Sequence, residues 1–106
     1  MVRILVIDDD PVILEVITKI LKTNSYEVIA APNGESGIKR LESNSFDLVL
    51  TDLMMPDVDG LEVLDRVVTK SPKTKCIILT GYGTIKSSVD AIKKGAFDYI
   101  AKPITS

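Results

Sequence analysis

The chain has 106 residues, the length of one domain, and its 45% hydrophobic and 26% charged content is that of an ordinary globular protein. A net charge of -2 with no lysine run gives no basis for a nucleic-acid surface. No apolar run is long enough to span a bilayer and the N-terminus lacks a signal-peptide pattern, so no membrane and a cytoplasmic location are the expectation.

Arg3 to Ile7 is a strand-like run, apolar on both faces, as in a parallel sheet covered by helices. It ends at Asp8-Asp9-Asp10. Asp10-Pro11 reads as an N-cap with proline at the first helical position. Val12, Ile13, Val16, Ile17, Ile20 and Leu21 then mark one face of a helix to about Lys22, stopped at Asn24-Ser25. Tyr26 to Ala31 is a second strand. Asn33 caps a second helix through about Ser43, with Ile38 and Leu41 inward. Gly37 within it costs about 1 kcal/mol relative to alanine, which a close helix-sheet contact would explain.

The third strand is the apolar run from Asp47, stopping at Asp52, and a loop with Pro56, Asp57, Asp59 and Gly60 follows. Asp57 and Asp59 read as turn and cap residues. Asp59 caps a helix carrying Leu61, Leu64, Val67 and Val68, stopped before Pro72. Lys75 to Thr80 is the fourth strand, with Cys76 as a packing residue; a lone cysteine rules out an internal disulfide. After the Gly81-Tyr82-Gly83 loop, Thr84 caps a helix with Ile85, Val89 and Ile92 inward and Gly95 as its stop. Phe97 to Ala101 is the fifth strand, closed by Lys102-Pro103.

Strand and helix alternate throughout, which predicts a three-layer α/β fold: a five-stranded parallel sheet in the flavodoxin-like order 2-1-3-4-5. Ligands in such sheets bind at the carboxyl ends of the strands. That order brings Asp8, Asp9 and Asp52 to one pocket, with Thr80 and Lys102 on its other wall. The chain has no histidine, which removes histidine metal sites, Ser-His-Asp triads and histidine bases. Three close carboxylates repel one another unless a cation intervenes. Mg2+ suits them, since it takes oxygen ligands and leaves room for a phosphate oxygen. A carboxylate beside Mg2+ can attack phosphorus to give an aspartyl phosphate. Such transfer needs positioning and charge neutralisation, which Lys102 and the Thr80 hydroxyl can supply.

These residues resemble, over essentially the whole chain, the receiver domain of bacterial two-component response regulators. The resemblance rests on Asp8-Asp9 after strand one, Asp52 after strand three with Met55-Pro56-Asp57-Val58-Asp59-Gly60 behind it, Thr80 after strand four, and Lys102-Pro103 after strand five. Gly81 to Pro103 is most similar to receivers attached to sigma-54-dependent transcription activators. The resemblance implies that Asp52 is the phosphoacceptor, that Asp9 ligates Mg2+ directly and Asp8 more through water, and that Met54 lends its backbone carbonyl to the metal. It implies that Thr80 is the switch hydroxyl, Tyr99 the switch aromatic and Lys102 the phosphate-side lysine. Its partners would be a histidine kinase and a fused or separate output domain, the readout a changed surface around the fourth helix and fifth strand.

Family members carry a fifth helix after the Lys-Pro, whereas only Ile104-Thr105-Ser106 follow here. The expectation is a receiver domain over 1–106 with four helices and an uncovered sheet face. A longer chain or a second copy would cover that face, and a homodimer could use it or the fourth helix/fifth strand face. Asp10 reads as a cap, with a metal role as the alternative. Met54 and Tyr82 flank the pocket and would limit water access to a phosphoryl group. Two other functions are open: a phosphorylation-independent interaction module, and a phosphatase of the haloacid-dehalogenase type with Asp8 as nucleophile, which would leave Asp52 without a role.

Overall fold

The structure, a computed structural model, describes residues 1–81 and 84–102. Its elements run β1 (Arg3–Ile7), α1 (Pro11–Thr23), β2 (Glu27–Ala31), α2 (Gly34–Ser43), β3 (Leu48–Thr51), α3 (Gly60–Lys70), β4 (Lys75–Thr80), α4 (Ile85–Lys93) and β5 (Asp98–Ala101). All five strands are parallel, in the order β2-β1-β3-β4-β5 that the alternating pattern predicts. The central strands are apolar on both faces because helices cover both. Ile4, Leu5, Val6, Ile7, Val49 and Ile78 are almost wholly buried. Each contributes about 1.5–3 kcal/mol by leaving water.

The two faces are covered unequally. Val63, Leu64 and Val67 of α3, Ala91 of α4 and, partly buried, Ile38 and Leu41 of α2 join one core with Leu5, Ile7, Val49 and Ile78. The opposite face holds Ile4, Val6, Leu79, Leu48 and Leu50, and among the described residues α1 alone packs there, through Ile13, Leu14, Ile17 and Leu21. Gly37 has the close contact that its cost suggested. A Cβ there would run into the Ile7 side chain, with Cγ1 at 2.7 Å. Cys76 is a buried packing residue whose thiol burial pushes up to about 12.

Four expectations need correction, the simplest being β5, which starts at Asp98 and not at Phe97. Strand β2 starts at Glu27, not Tyr26, because the Tyr26 N–H is still bonded to the Leu21 carbonyl of the α1 exit turn, after Ser25 at a φ of 69°. On α1, Val12, Val16 and Ile20 are exposed; the inward row lies one position further on. On α4 the large apolar residues Ile85, Val89 and Ile92 point outward, and Ala91 with half-buried Ser87 and Ser88 points in. Small residues let α4 lie close to the sheet, and Ser87 spends its hydroxyl on Tyr99, a bond an isoleucine could not make. The helix ends as the sequence suggests, at Gly95 with φ 110°.

Candidate functional site

The parallel register assembles the site. Ile7 pairs with Thr51, so the next residues, Asp8 and Asp52, leave the sheet side by side. The ladder runs one step beyond the strands, with Asp8 N–H to the Ala31 carbonyl at 3.2 Å and Asp52 N–H to the Ile7 carbonyl at 2.9 Å. On the other side Thr80 pairs with Ala101, and Lys102 N–H donates to the Thr80 carbonyl at 3.0 Å. Four strand ends thus deliver Asp8, Asp52, Thr80 and Lys102 to one pocket. Asp9 follows Asp8 at its mouth, exposed.

Carboxylate oxygens of Asp8, Asp9 and Asp52 all lie within 4.8 Å of one another. Asp8 and Asp52 are buried, at 2% and 5% exposure. Asp8 Oδ1 accepts the Asp10 N–H at 2.9 Å and Oδ2 accepts from Lys102 Nζ at 2.7 Å. Asp52 Oδ1 accepts the Leu53 N–H at 2.8 Å, and its Oδ2 stands 3.5 Å from the same ammonium. One lysine therefore balances two buried carboxylates. The consequence falls on Asp52. Burial, then the charge of Asp8, hold the Asp52 carboxyl above its ordinary range despite Lys102, the Leu53 N–H and a hydrogen bond from the Thr80 hydroxyl. Burial pulls the Lys102 ammonium down, but the bond to Asp8 and the charges of Asp8 and Asp52 outweigh it and leave it raised. An excess of negative charge on an oxygen-only donor set, two of its members desolvated, fits a hard divalent cation.

Tyr99 is half-buried on β5, with its hydroxyl 2.7 Å from Ser87 Oγ on α4. Ser87 is also the third helical residue of a capping box with Thr84, so Tyr99 is tied to the start of α4. Asp10 caps α1, accepting from Val12 N–H at 2.9 Å. Asp59 caps α3 by accepting from Glu62 N–H. Met54 is 57% exposed and, with Met55, Pro56 and Asp9, lines an apolar depression at the mouth. Tyr82 and Pro103 lie outside the described residues.

Sequence reading missed two features. Asp57 lies in its own turn and also caps the distant helix α2; its carboxyl is held below the usual range, first by the Glu35 N–H and then by the Val58 N–H. The bond crosses 22 residues, and no local pattern announces it. The Ser87–Tyr99 bond had a partial signal in Thr84-x-x-Ser87, a capping-box spacing with serine in the acceptor place.

A doubly covered parallel sheet with an acidic pocket at its strand ends, faced by a lysine and a hydroxyl, defines an α/β domain built to hold charge at that rim. The response regulator receiver domain model matches residues 4–106, and the chain belongs to that family. Chemotaxis protein CheY of Listeria monocytogenes is 39% identical over 104 residues, covering 97% of this chain and 87% of that one. Transcriptional regulatory protein ZraR of Klebsiella oxytoca is 37% identical over 97% of this chain, but the chain spans only 23% of ZraR. Among solved structures, a CheY-like receiver domain from Methanospirillum hungatei superposes with a TM-score of 0.95 at 37% identity, over 99% of this chain and 84% of that one. A Burkholderia pseudomallei response regulator, solved with a phosphorylated aspartic acid, a calcium ion and citrate, gives 0.93 at 30% identity over 99% of this chain and 62% of that one.

Proposed function

We propose that this receiver domain is a phosphorylation-operated switch in which Asp52 accepts a phosphoryl group and the rest of the pocket supports that transfer. The observation that carries the reading is the placement of Asp52: buried, short of positive charge, and next to a lysine, a hydroxyl and two further carboxylates. Asp8, Asp9, Asp52 and the backbone carbonyl of Met54 would hold Mg2+, which supplies positive charge for the phosphoryl oxygens. An Asp52 carboxylate oxygen attacks phosphorus, the new O–P bond forms as the bond to the donor breaks, and the donor leaves with its electron pair. Lys102 sits where it can neutralise the incoming charge, and the domain acts only on itself.

Phosphorylation adds about -1.5 to -2 charge at neutral pH. Lys102 and Thr80 then gain an anionic partner, which biases a two-state equilibrium of the segment after β4 and of Tyr99. The readout falls on the α4–β5 surface, where Ile85, Val89, Ile92, Phe97 and Ile100 are exposed. Such an apolar surface suits a second copy or an output domain. The phosphodonor would be a histidine kinase, since the chain has no histidine of its own. A phosphatase with Asp8 as nucleophile fits poorly, because it would leave the buried Asp52 without a role.

Intact mass after incubation with acetyl phosphate and Mg2+ tests the proposal. The expected result is one phosphoryl group on the wild type, none without Mg2+ and none on Asp52→Asn. A folded wild type that gains no mass, or a gain that survives Asp52→Asn, would refute it.

A further inference from the structure

Asp57 stands outside the acidic pocket, yet it is bonded to a different part of the fold. Its Oδ2 accepts the Glu35 N–H at 2.9 Å and its Oδ1 the Gly34 N–H at 3.3 Å. These are the first two N–H groups of α2, which its own N-cap Asn33 leaves open by accepting from Ser36 N–H instead. The helix start is therefore capped twice, once locally and once from the loop behind the phosphoacceptor. A second contact lies beside the first. Gly34 meets Val58 so closely that a Cβ there would fall 2.5 Å from the Val58 carbonyl oxygen.

The loop from Leu53 to Asp59 is thus fixed at three points. Its start is bonded to β1 through Asp52 N–H. Its end folds back, with Gly60 N–H donating to the Leu53 carbonyl at 2.8 Å and Gly60 set against the Asp52 carbonyl. Between these points Met54 is exposed and its side chain offers little burial to hold the backbone. Asp57 and Val58, clasped to α2, close that gap.

We propose that Asp57 is a positioning residue: by clasping the 53–59 loop to the N-terminus of α2 it sets the Met54 backbone for cation binding. This rests on the reading above that the Met54 carbonyl is a cation ligand. Asp57 touches neither the cation nor the phosphoryl group. Its effect reaches the pocket through the two residues between it and Met54, Met55 and Pro56, as outer-shell partners act on metal ligands.

Calorimetric titration with Mg2+, thermal melting without metal, and acetyl phosphate labelling at rising Mg2+ test this on the full chain. Asp57→Ala should weaken Mg2+ binding about tenfold, with labelling recovered at saturating Mg2+. Gly34→Ala should weaken it in the same direction with no change of charge. Asp57→Asn, whose single acceptor oxygen can keep the Glu35 N–H but not the Gly34 N–H as well, should fall between the wild type and the alanine variant. A folded Asp57→Ala that binds Mg2+ like the wild type and only melts lower would overturn the proposal and leave Asp57 as a helix cap. A wild type that neither binds Mg2+ nor labels would instead overturn the reading of the pocket on which this rests.

Discussion

Replacing Asp52 by asparagine should make the metal-free protein more stable. Oxygens of Asp8, Asp9 and Asp52 lie within 4.8 Å. At an effective dielectric of about 20, two unit charges roughly 5 Å apart repel by about 3 kcal/mol. Lys102, 3.5 Å from Asp52, returns a quantity of the same order. What remains is the cost of keeping a 5%-exposed carboxylate from water, and the balance goes against the charge, since the Asp52 carboxyl is raised. A carboxyl raised above 3.8 in the fold favours folding when protonated; that contribution is full below 3.8 and lost as pH rises through the folded value. At neutral pH the wild type therefore carries the penalty and asparagine does not, while its side-chain oxygen can still accept from Leu53 N–H. Allowing for screening on the open side of the pocket, the gain should be about 1–2 kcal/mol. For a domain of this size each kcal/mol moves the midpoint by roughly 4–8 °C. The assay is thermal melting by circular dichroism at pH 7 in chelator, repeated near pH 4, where the difference should shrink. Added Mg2+ should raise the wild type more than the variant. An Asp52→Asn midpoint at or below wild type in chelator would show that Lys102 already balances the pocket, and the electrostatic reasoning would fail.

Lys102→Met should do the opposite. It leaves Asp8 and Asp52 buried without their cation, a loss of about 3–5 kcal/mol in chelator that Mg2+ should partly restore; chemical denaturation with and without Mg2+ reads it, and an unchanged midpoint in chelator would show the pair carries no weight. Tyr99→Phe and Ser87→Ala should each cost about 1 kcal/mol, with Ser87→Ala the larger because the α4 capping box goes with it. In a double-mutant cycle the pair should couple by about 0.5–1.5 kcal/mol, and a coupling near zero would mean the 2.7 Å bond does not form in solution.

The sheet was legible because its signals are local. Each strand is a short apolar run ending at a turn residue, and alternation with helices leaves few topologies. Asp8, Asp52, Thr80 and Lys102 could be placed because each is a polar residue at or just past a strand's end, and parallel order makes those ends neighbours. The α4 face was misread for a physical reason. Hydrophobic periodicity marks an apolar stripe but not which surface it meets, and here the sheet takes the small-residue stripe with Ala91 while Ile85, Val89 and Ile92 face outward. Strand β2 was misread by one residue because the turn with Ser25 in the left-handed region takes up Tyr26. The second role of Asp57 was not legible because its partners are remote: a carboxylate in a turn looks the same in sequence whether or not it also caps another helix.

The ion pair between Lys102 and Asp8 joins residues 94 positions apart, and this governs the order of assembly. The first strand is central and the fifth is an edge, so β1 can pair with β2 and β3 while the end of the chain is still unfolded. Contacts between remote residues are slow to form, since loop closure must precede them. In an N-to-C-terminal synthesis, Asp8 and Asp52 are gathered at the rim before the one ammonium that neutralises them has docked. Adding β5 to the sheet is then also the act of charge compensation. An opening of this edge strips the carboxylates of their counter-ion. Loss of order at β5 and loss of the Lys102 ion pairs with Asp8 and Asp52 are one event in this molecule.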